Sequence, residues 1–145
     1  PAVTPPGAQA VRAQAARAKT RRAALERIYA AHFEHCYQRH DWLCARQVLA
    51  TLVQVAPNAE ALPALQHRLT AQIHNTVRHG LETGRQLYSQ GQIRKALDIW
   101  LRVRKLAPQD AELAAHITRA RKVLVKLREL RIHPATPVPS AVFSP

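Results

Sequence analysis

The sequence predicts an all-α protein made of antiparallel helix hairpins, with about five helices arranged as two copies of one unit. Three observations predict this fold class. Apolar residues recur at steps of three and four along most of the chain, the sequence matches itself after a shift of 51 residues, and proline, glycine and aspartate stand at the predicted junctions. The 145 residues are 47% apolar with only 4 glycines, which excludes collagen-like and disordered classes.

Long and short helices are expected to alternate, at about 8–39, 42–56, 58–90, 92–107 and 110–131. The first helix is rich in alanine and arginine, and its first half has little apolar stripe. Asp41 is a good N-cap for the second helix and Asp110 for the fifth. Gly91 suits the left-handed turn that ends the third helix, and the fourth stops before Pro108 because a residue preceding proline disfavours the helical conformation.

The shift of 51 residues pairs similar residues of 37–62 with residues of 88–113. Small residues meet small ones, large apolar residues meet large apolar ones, and the Ala-Pro junctions coincide. The pairs include Tyr37 with Tyr88, Ala45 with Ala96, Leu49 with Trp100, Leu52 with Val103, Pro57 with Pro108 and Leu62 with Leu113. We therefore expect an internal repeat.

The two ends differ from this region. Seven of the 10 prolines lie there, and no charged residue occurs in 1–7 or 132–145. We expect a linker at 1–7, a helical repeat domain at 8–131 and an extended or disordered Pro-rich tail at 132–145. The absence of methionine predicts a processed product or a piece of a longer chain, so the compartment stays open between the cytoplasm and an extracytoplasmic space. No apolar run approaches the ~18 residues of a membrane span.

The second unit resembles the tetratricopeptide repeat. The residues that carry the resemblance are Gly84, Leu87, Tyr88, Gly91, Ala96, Leu97, Trp100, Leu106, Pro108 and Asp110. The first unit matches more weakly, through Tyr29, Cys36, Tyr37, Ala45, Leu49 and Pro57, and departs at Phe33, where the family usually has a small residue. The period of 51 also exceeds the family's ~34 residues.

This resemblance covers about residues 29–130 and implies an α-solenoid scaffold that binds a peptide or protein on its concave face. The Asn and Lys clamp of chaperone-binding members is missing here, so that role does not carry over. The chain has no Gly-rich phosphate loop and no nucleophile motif, so neither catalysis nor a cofactor is expected.

Four residues that are able to bind metal recur at every fourth position: His32, Cys36, His40 and Cys44. On one continuous helix this stripe is too long for a tetrahedral zinc, and we expect no metal. If the chain turns near Asp41, a disulfide between Cys36 and Cys44, two free core thiols and a zinc site all remain open.

Positive charge is the strongest functional signal, since 22 basic residues face 9 acidic ones and the formal net charge is +13. A field of this size attracts polyanions. The positions predicted to bind a partner are Arg78, Arg85 and Lys122, with Arg119 and Lys126 on the last helix.

We expect an adaptor that binds an acidic segment of a protein. Binding of RNA or DNA is the first alternative, and a regulatory domain of a larger enzyme or of a secretion or envelope protein is the second. Charge that only keeps the helices in solution is the plainest interpretation. Nucleic-acid binding is less favoured because Trp42 and Trp100 occupy predicted core positions rather than stacking positions. The oligomeric state is open.

Overall fold

The computed structural model describes residues 5–132, and every regular element in that range is an α-helix. The helices are α1 (Pro6–Gln38), α2 (Trp42–Val55), α3 (Leu62–Ser89), α4 (Ile93–Arg104) and α5 (Ala111–Ile132). The all-α prediction is confirmed. Most of the predicted linker and all but one residue of the predicted tail lie outside the described residues. No helix of the described range is long and apolar enough to cross a bilayer.

The helix α1 begins at Pro6, two residues earlier than the sequence predicts. Proline is tolerated at the first helical position because the missing N–H has no helical partner there. The first half of α1 is largely exposed, with Val11 at 65%. Burial begins in the second half of α1, where Phe33 and Cys36 enter the core.

The chain forms two compact units, which meet within α3 between Asn75 and Thr76. Unit 1 contains α1, α2 and the first part of α3, and unit 2 contains the rest of α3, α4 and α5. Each unit has its own apolar core. The buried residues of unit 1 are Phe33, Cys36, Ala45, Val48, Leu49, Leu52, Ala56, Ala59, Leu62, Leu65 and Leu69. Those of the core cluster in unit 2 are Ile93, Ala96, Leu97, Trp100, Val103, Leu113, Ile117 and Ala120.

Positions paired by the 51-residue shift have matching environments in their own units. Ala45 and Ala96 are both fully buried, and Leu49 and Trp100 are 5% and 1% exposed. The two units place a large aromatic side chain on different helices, however. Unit 2 places Gly84 where unit 1 has Phe33, and a Cβ at Gly84 would lie 2.5 Å from Cε2 of Trp100. The large ring therefore comes from the first helix of unit 1 but from the second helix of unit 2.

The turns between the first two helices of each unit also match. His40 and Gly91 both adopt positive φ, 57° and 79°. The N–H of His40 donates to the Tyr37 carbonyl at 3.0 Å, and the N–H of Gly91 donates to the Tyr88 carbonyl at 3.0 Å. The sequence prediction of a left-handed turn at Gly91 is confirmed.

Both predicted aspartate caps are confirmed. The Asp41 carboxylate accepts from the Cys44 N–H at 3.1 Å, and the Asp110 carboxylate accepts from the Leu113 N–H at 2.9 Å. Each bond satisfies one of the free amide groups in the first turn of a helix. The start of the following helix is thereby fixed in both units.

One helix start was predicted wrongly. The third helix starts at Leu62 rather than at 58, because two tight turns precede it: Ala59 N–H donates to the Ala56 carbonyl and Leu62 N–H donates to the Ala59 carbonyl. The apolar stripe of α5 is buried only at its start, since Leu127 and Leu130 are 42% and 59% exposed. The helix α4 has 12 residues against 22 in α5, so it is too short to cover the last turns of α5.

Candidate anion-binding site

Unit 2 contains a pocket of about 190 Å³ that three helices build together. Arg85 and Tyr88 come from α3, Trp100 from α4, and His116 and Arg119 from α5. On α3 and on α5 the two contributing residues are three positions apart, which puts them on one face of the helix. We refer to these five residues as the unit 2 pocket.

The floor of the pocket is aromatic and closely packed. Trp100 is 1% exposed, and its ring stacks on His116 with centroids 4.9 Å apart and planes at 18°. The Tyr88 ring lies 6.0 Å from that of Trp100. The Trp100 Nε1–H donates to the Leu81 carbonyl at 3.4 Å, which satisfies the polar atom of the indole. Gly84 permits this close approach because it has no side chain.

The rim of the pocket is positive. Arg85 and Arg119 are both exposed, and neither makes an ion pair with any residue in 5–132. Oε1 of Glu112 lies 3.6 Å from Nε2 of the lining residue His116. Guanidinium groups offer planar sets of donors that match a carboxylate, so two of them beside one pocket favour an anionic ligand.

Unit 1 has an internal ion pair at the matching positions. The positions 51 residues earlier than those of the unit 2 pocket are Glu34, Tyr37, Leu49, Leu65 and Arg68. Glu34 and Arg68 form a bidentate ion pair. Nη1 of Arg68 donates to Oε1 of Glu34, and Nη2 donates to Oε2 at 3.2 Å. The Arg68 guanidinium lies over the Tyr37 ring, 4.4 Å from its centroid.

This ion pair shifts the pKa of both partners toward the charged forms. The hydrogen bond from Arg68 lowers the pKa of Glu34, and the hydrogen bond to Glu34 raises the pKa of Arg68. Both side chains are about two-fifths exposed, so water screens the pair and its stabilising effect is modest. The carboxylate of Glu34 has no counterpart in unit 2, where Arg85 stands at the matching position.

All five residues predicted to bind a partner belong to unit 2. Arg85 and Arg119 meet at the pocket, and Lys122 joins Arg119 beside a shallow depression on α5. Arg78 is exposed on α3 and Lys126 is exposed on α5. Arg78 and Lys126 each lie seven positions from Arg85 and Arg119 respectively, a spacing that places each pair on one helix face.

His116 was not predicted to line a pocket, and Tyr88 and Trp100 were predicted to belong to the core alone. Trp100 is indeed buried, and so is Ala96. A usable signal was present, because the 51-residue shift sets Arg85 against Glu34 while it keeps Arg119 against Arg68. This shift therefore pairs an acid of unit 1 with a base of unit 2 beside an arginine that both units have.

Both cysteines belong to unit 1. A disulfide joins Cys36 of α1 to Cys44 of α2, with Cα atoms 5.7 Å apart. The turn around His40 brings the two residues together. A ligand nitrogen of His32 lies within 4.8 Å of both sulfur atoms. Of the three arrangements that the sequence left open, the structure contains the disulfide.

No protein-family model matches the chain, and no significant match was found among curated proteins or solved structures.

Proposed function

We propose that the chain is a non-catalytic adaptor, built from two copies of a helical repeat similar to the tetratricopeptide repeat, that binds an acidic segment of a protein partner. The observation that carries the proposal is the pair of arginines in the unit 2 pocket. Arg85 and Arg119 share one pocket over an aromatic floor, and neither has an acidic partner within residues 5–132.

The proposed repeat is supported by features that recur at paired positions. Ala45 and Ala96 are buried alike, and the turns at His40 and Gly91 form the same backbone hydrogen bonds. Repeat proteins of this kind commonly present a binding surface along one side of their helices. The fold by itself does not select a ligand, so the charge must do so.

Charge around the pocket favours an acidic ligand. Arg78 extends the positive charge along α3, and Lys122 and Lys126 extend it along α5. Together with the net charge of +13, these groups speed the approach of an acidic segment and orient it, in a manner that salt weakens.

The aromatic residues favour a protein partner over nucleic acid. Single-stranded nucleic acids bind by stacking their bases on accessible aromatic rings beside basic residues. The Trp100 ring is 1% exposed and already stacked on His116. Trp42 is half-buried, and the His40 ring stacks on it at 5.4 Å. Both tryptophans thus serve the packing of their own units.

Binding of short labelled peptides tests the proposal. One peptide contains several glutamates with capped termini, and its match contains glutamines instead. Fluorescence anisotropy should detect binding of the glutamate peptide alone, and the affinity should fall as salt rises. Absence of glutamate-peptide binding at low salt overturns the proposal.

Charge-reversal variants locate the surface. Reversal of Arg78, Arg85, Arg119, Lys122 or Lys126 to glutamate, one at a time, should weaken binding of the glutamate peptide. The controls are Arg21→Glu and Arg22→Glu, which change the net charge equally on an exposed part of α1. If the controls weaken binding as much as the five test variants, the interaction is a nonspecific effect of net charge. A labelled oligonucleotide that binds more tightly than the peptide favours the nucleic-acid alternative.

A further inference from the structure

We infer that the unit 2 pocket accepts one carboxylate of the partner, which binds between Arg85 and Arg119 in the place that Glu34 occupies within unit 1. This inference rests on the proposed function and names the group that is recognised. The ligand is the side chain of a glutamate or aspartate in an acidic segment of a protein.

Unit 1 provides the template. There one carboxylate, that of Glu34, receives two hydrogen bonds from the Arg68 guanidinium while the same guanidinium covers the Tyr37 ring. The hydrogen bond between them is also the main reason why the pKa of Glu34 falls. This part of the repeat thus binds a carboxylate with an arginine supported by a tyrosine.

Unit 2 keeps that arginine and that tyrosine and changes the third partner. Arg119 matches Arg68, Tyr88 matches Tyr37, and Arg85 replaces Glu34. The replacement removes the internal acceptor and adds a second set of donors at the same position. Two guanidinium groups beside one pocket, without an internal acid among the lining residues, favour an anion from outside.

The remaining changes suit a polar ligand. The apolar Leu49 and Leu65 of unit 1 are matched by Trp100 and His116 in unit 2, and both of these line the pocket. The pocket volume of about 190 Å³ is below the ~300–1,000 Å³ typical of sites for whole small molecules. A pocket of this size accommodates a side chain rather than a nucleotide.

The variant Arg85→Glu is the most direct test, because it should give the unit 2 pocket an internal acid like Glu34 of unit 1. Glu at this position would pair with Arg119 as Glu34 pairs with Arg68. We expect the affinity for the glutamate peptide to fall by about tenfold or more, as for loss of a specific charged contact, while the thermal unfolding midpoint stays the same or rises. The matched control is Arg94→Glu, at an exposed position of α4 with the same change in charge.

A second variant distinguishes loss of the arginine contact in the pocket from loss of folding. Arg119→Glu should give the reversed pair with Arg85 and the same loss of binding. If either variant binds the glutamate peptide as well as the Arg94→Glu control does, the pocket is not the site. In that case the proposed function stands as long as the native chain binds the peptide, whereas no binding by the native chain overturns both.

Two further probes identify the source of the anion. A peptide with neutral side chains and a free C-terminal carboxylate tests recognition of a chain end, and inorganic phosphate tests recognition of a phosphate group. We expect only the peptide with glutamate side chains to bind in a manner that depends on Arg85. Binding of the neutral peptide or of phosphate with the same dependence would overturn the assignment to an acidic side chain.

Discussion

The Arg68 guanidinium lies 4.4 Å from the centroid of the Tyr37 ring and forms a bidentate ion pair with the Glu34 carboxylate. The contact with the ring orients the guanidinium, and two N–H groups of the guanidinium donate to the carboxylate. In unit 2 the matching tyrosine and arginine are present without the acid. Unit 1 therefore contains an arginine, a tyrosine and an acid in contact, and unit 2 contains the arginine and the tyrosine at the matching positions.

The ion pair predicts a specific acid sensitivity. Because Arg68 lowers the pKa of Glu34, the pair contributes stability above the ordinary glutamate pKa of about 4.3 and loses it as the pH falls through the lowered value. Near neutral pH, Glu34→Gln should lower the free energy of unfolding by up to about 1 kcal/mol, since both groups are partly exposed. Urea unfolding from pH 7 to pH 2 measures the difference, which should shrink on the acid side. A difference that is independent of pH would contradict the prediction.

Close packing at Gly84 predicts that a single methyl group is costly there. A Cβ at this position would lie 2.5 Å from Cε2 of the fully buried Trp100 ring and closer still to its Nε1, so Gly84→Ala should destabilise the protein by about 1–3 kcal/mol. The control is Gly7→Ala, where a Cβ meets no atom within 4 Å and stability should hold or rise. In the double variant, Trp100→Leu should relieve the clash. The loss of unfolding free energy should then be smaller than the sum of the losses in the two single variants. A Gly84→Ala protein as stable as the native one would refute the close approach of α4.

The left-handed turn at Gly91 makes a prediction about the backbone alone. A Cβ there meets nothing within 4 Å, yet φ is 79°, so Gly91→Ala should cost about 1–2 kcal/mol through conformation rather than packing. Asparagine tolerates this conformation better, and Gly91→Asn should cost less. His40 adopts the same conformation at the matching position of unit 1. Equal losses for the alanine and asparagine variants, measured by thermal unfolding, would show that the backbone is not the cause.

Local features of this fold were the easiest to predict from the sequence. The caps at Asp41 and Asp110 and the turn at Gly91 depend on residues within one helical turn, and all three are confirmed. The start of α3 illustrates the limit of such signals. The sequence predicts a start at 58, but two tight turns precede the helix, and their carbonyls already accept from downstream amides.

The pocket was harder to predict because it depends on residues from three helices. Arg85 and Arg119 were both predicted to bind a partner, on the basis of charge alone. Their meeting over Trp100 depends on how α3, α4 and α5 pack, and helical periodicity does not specify which polar side chains face each other across a packed core. His116 was not predicted to line the pocket for the same reason, although it stacks on Trp100.

The emission of Trp100 tests the central claim most directly, because the indole forms the floor on which the carboxylate of the partner is proposed to lie. The variant Trp42→Phe leaves Trp100 as the sole tryptophan of the chain. Titration with the glutamate peptide should shift the Trp100 emission with the same midpoint as the anisotropy change, and the glutamine peptide should leave it unchanged. Binding of the glutamate peptide by anisotropy with no change in Trp100 emission would contradict the account.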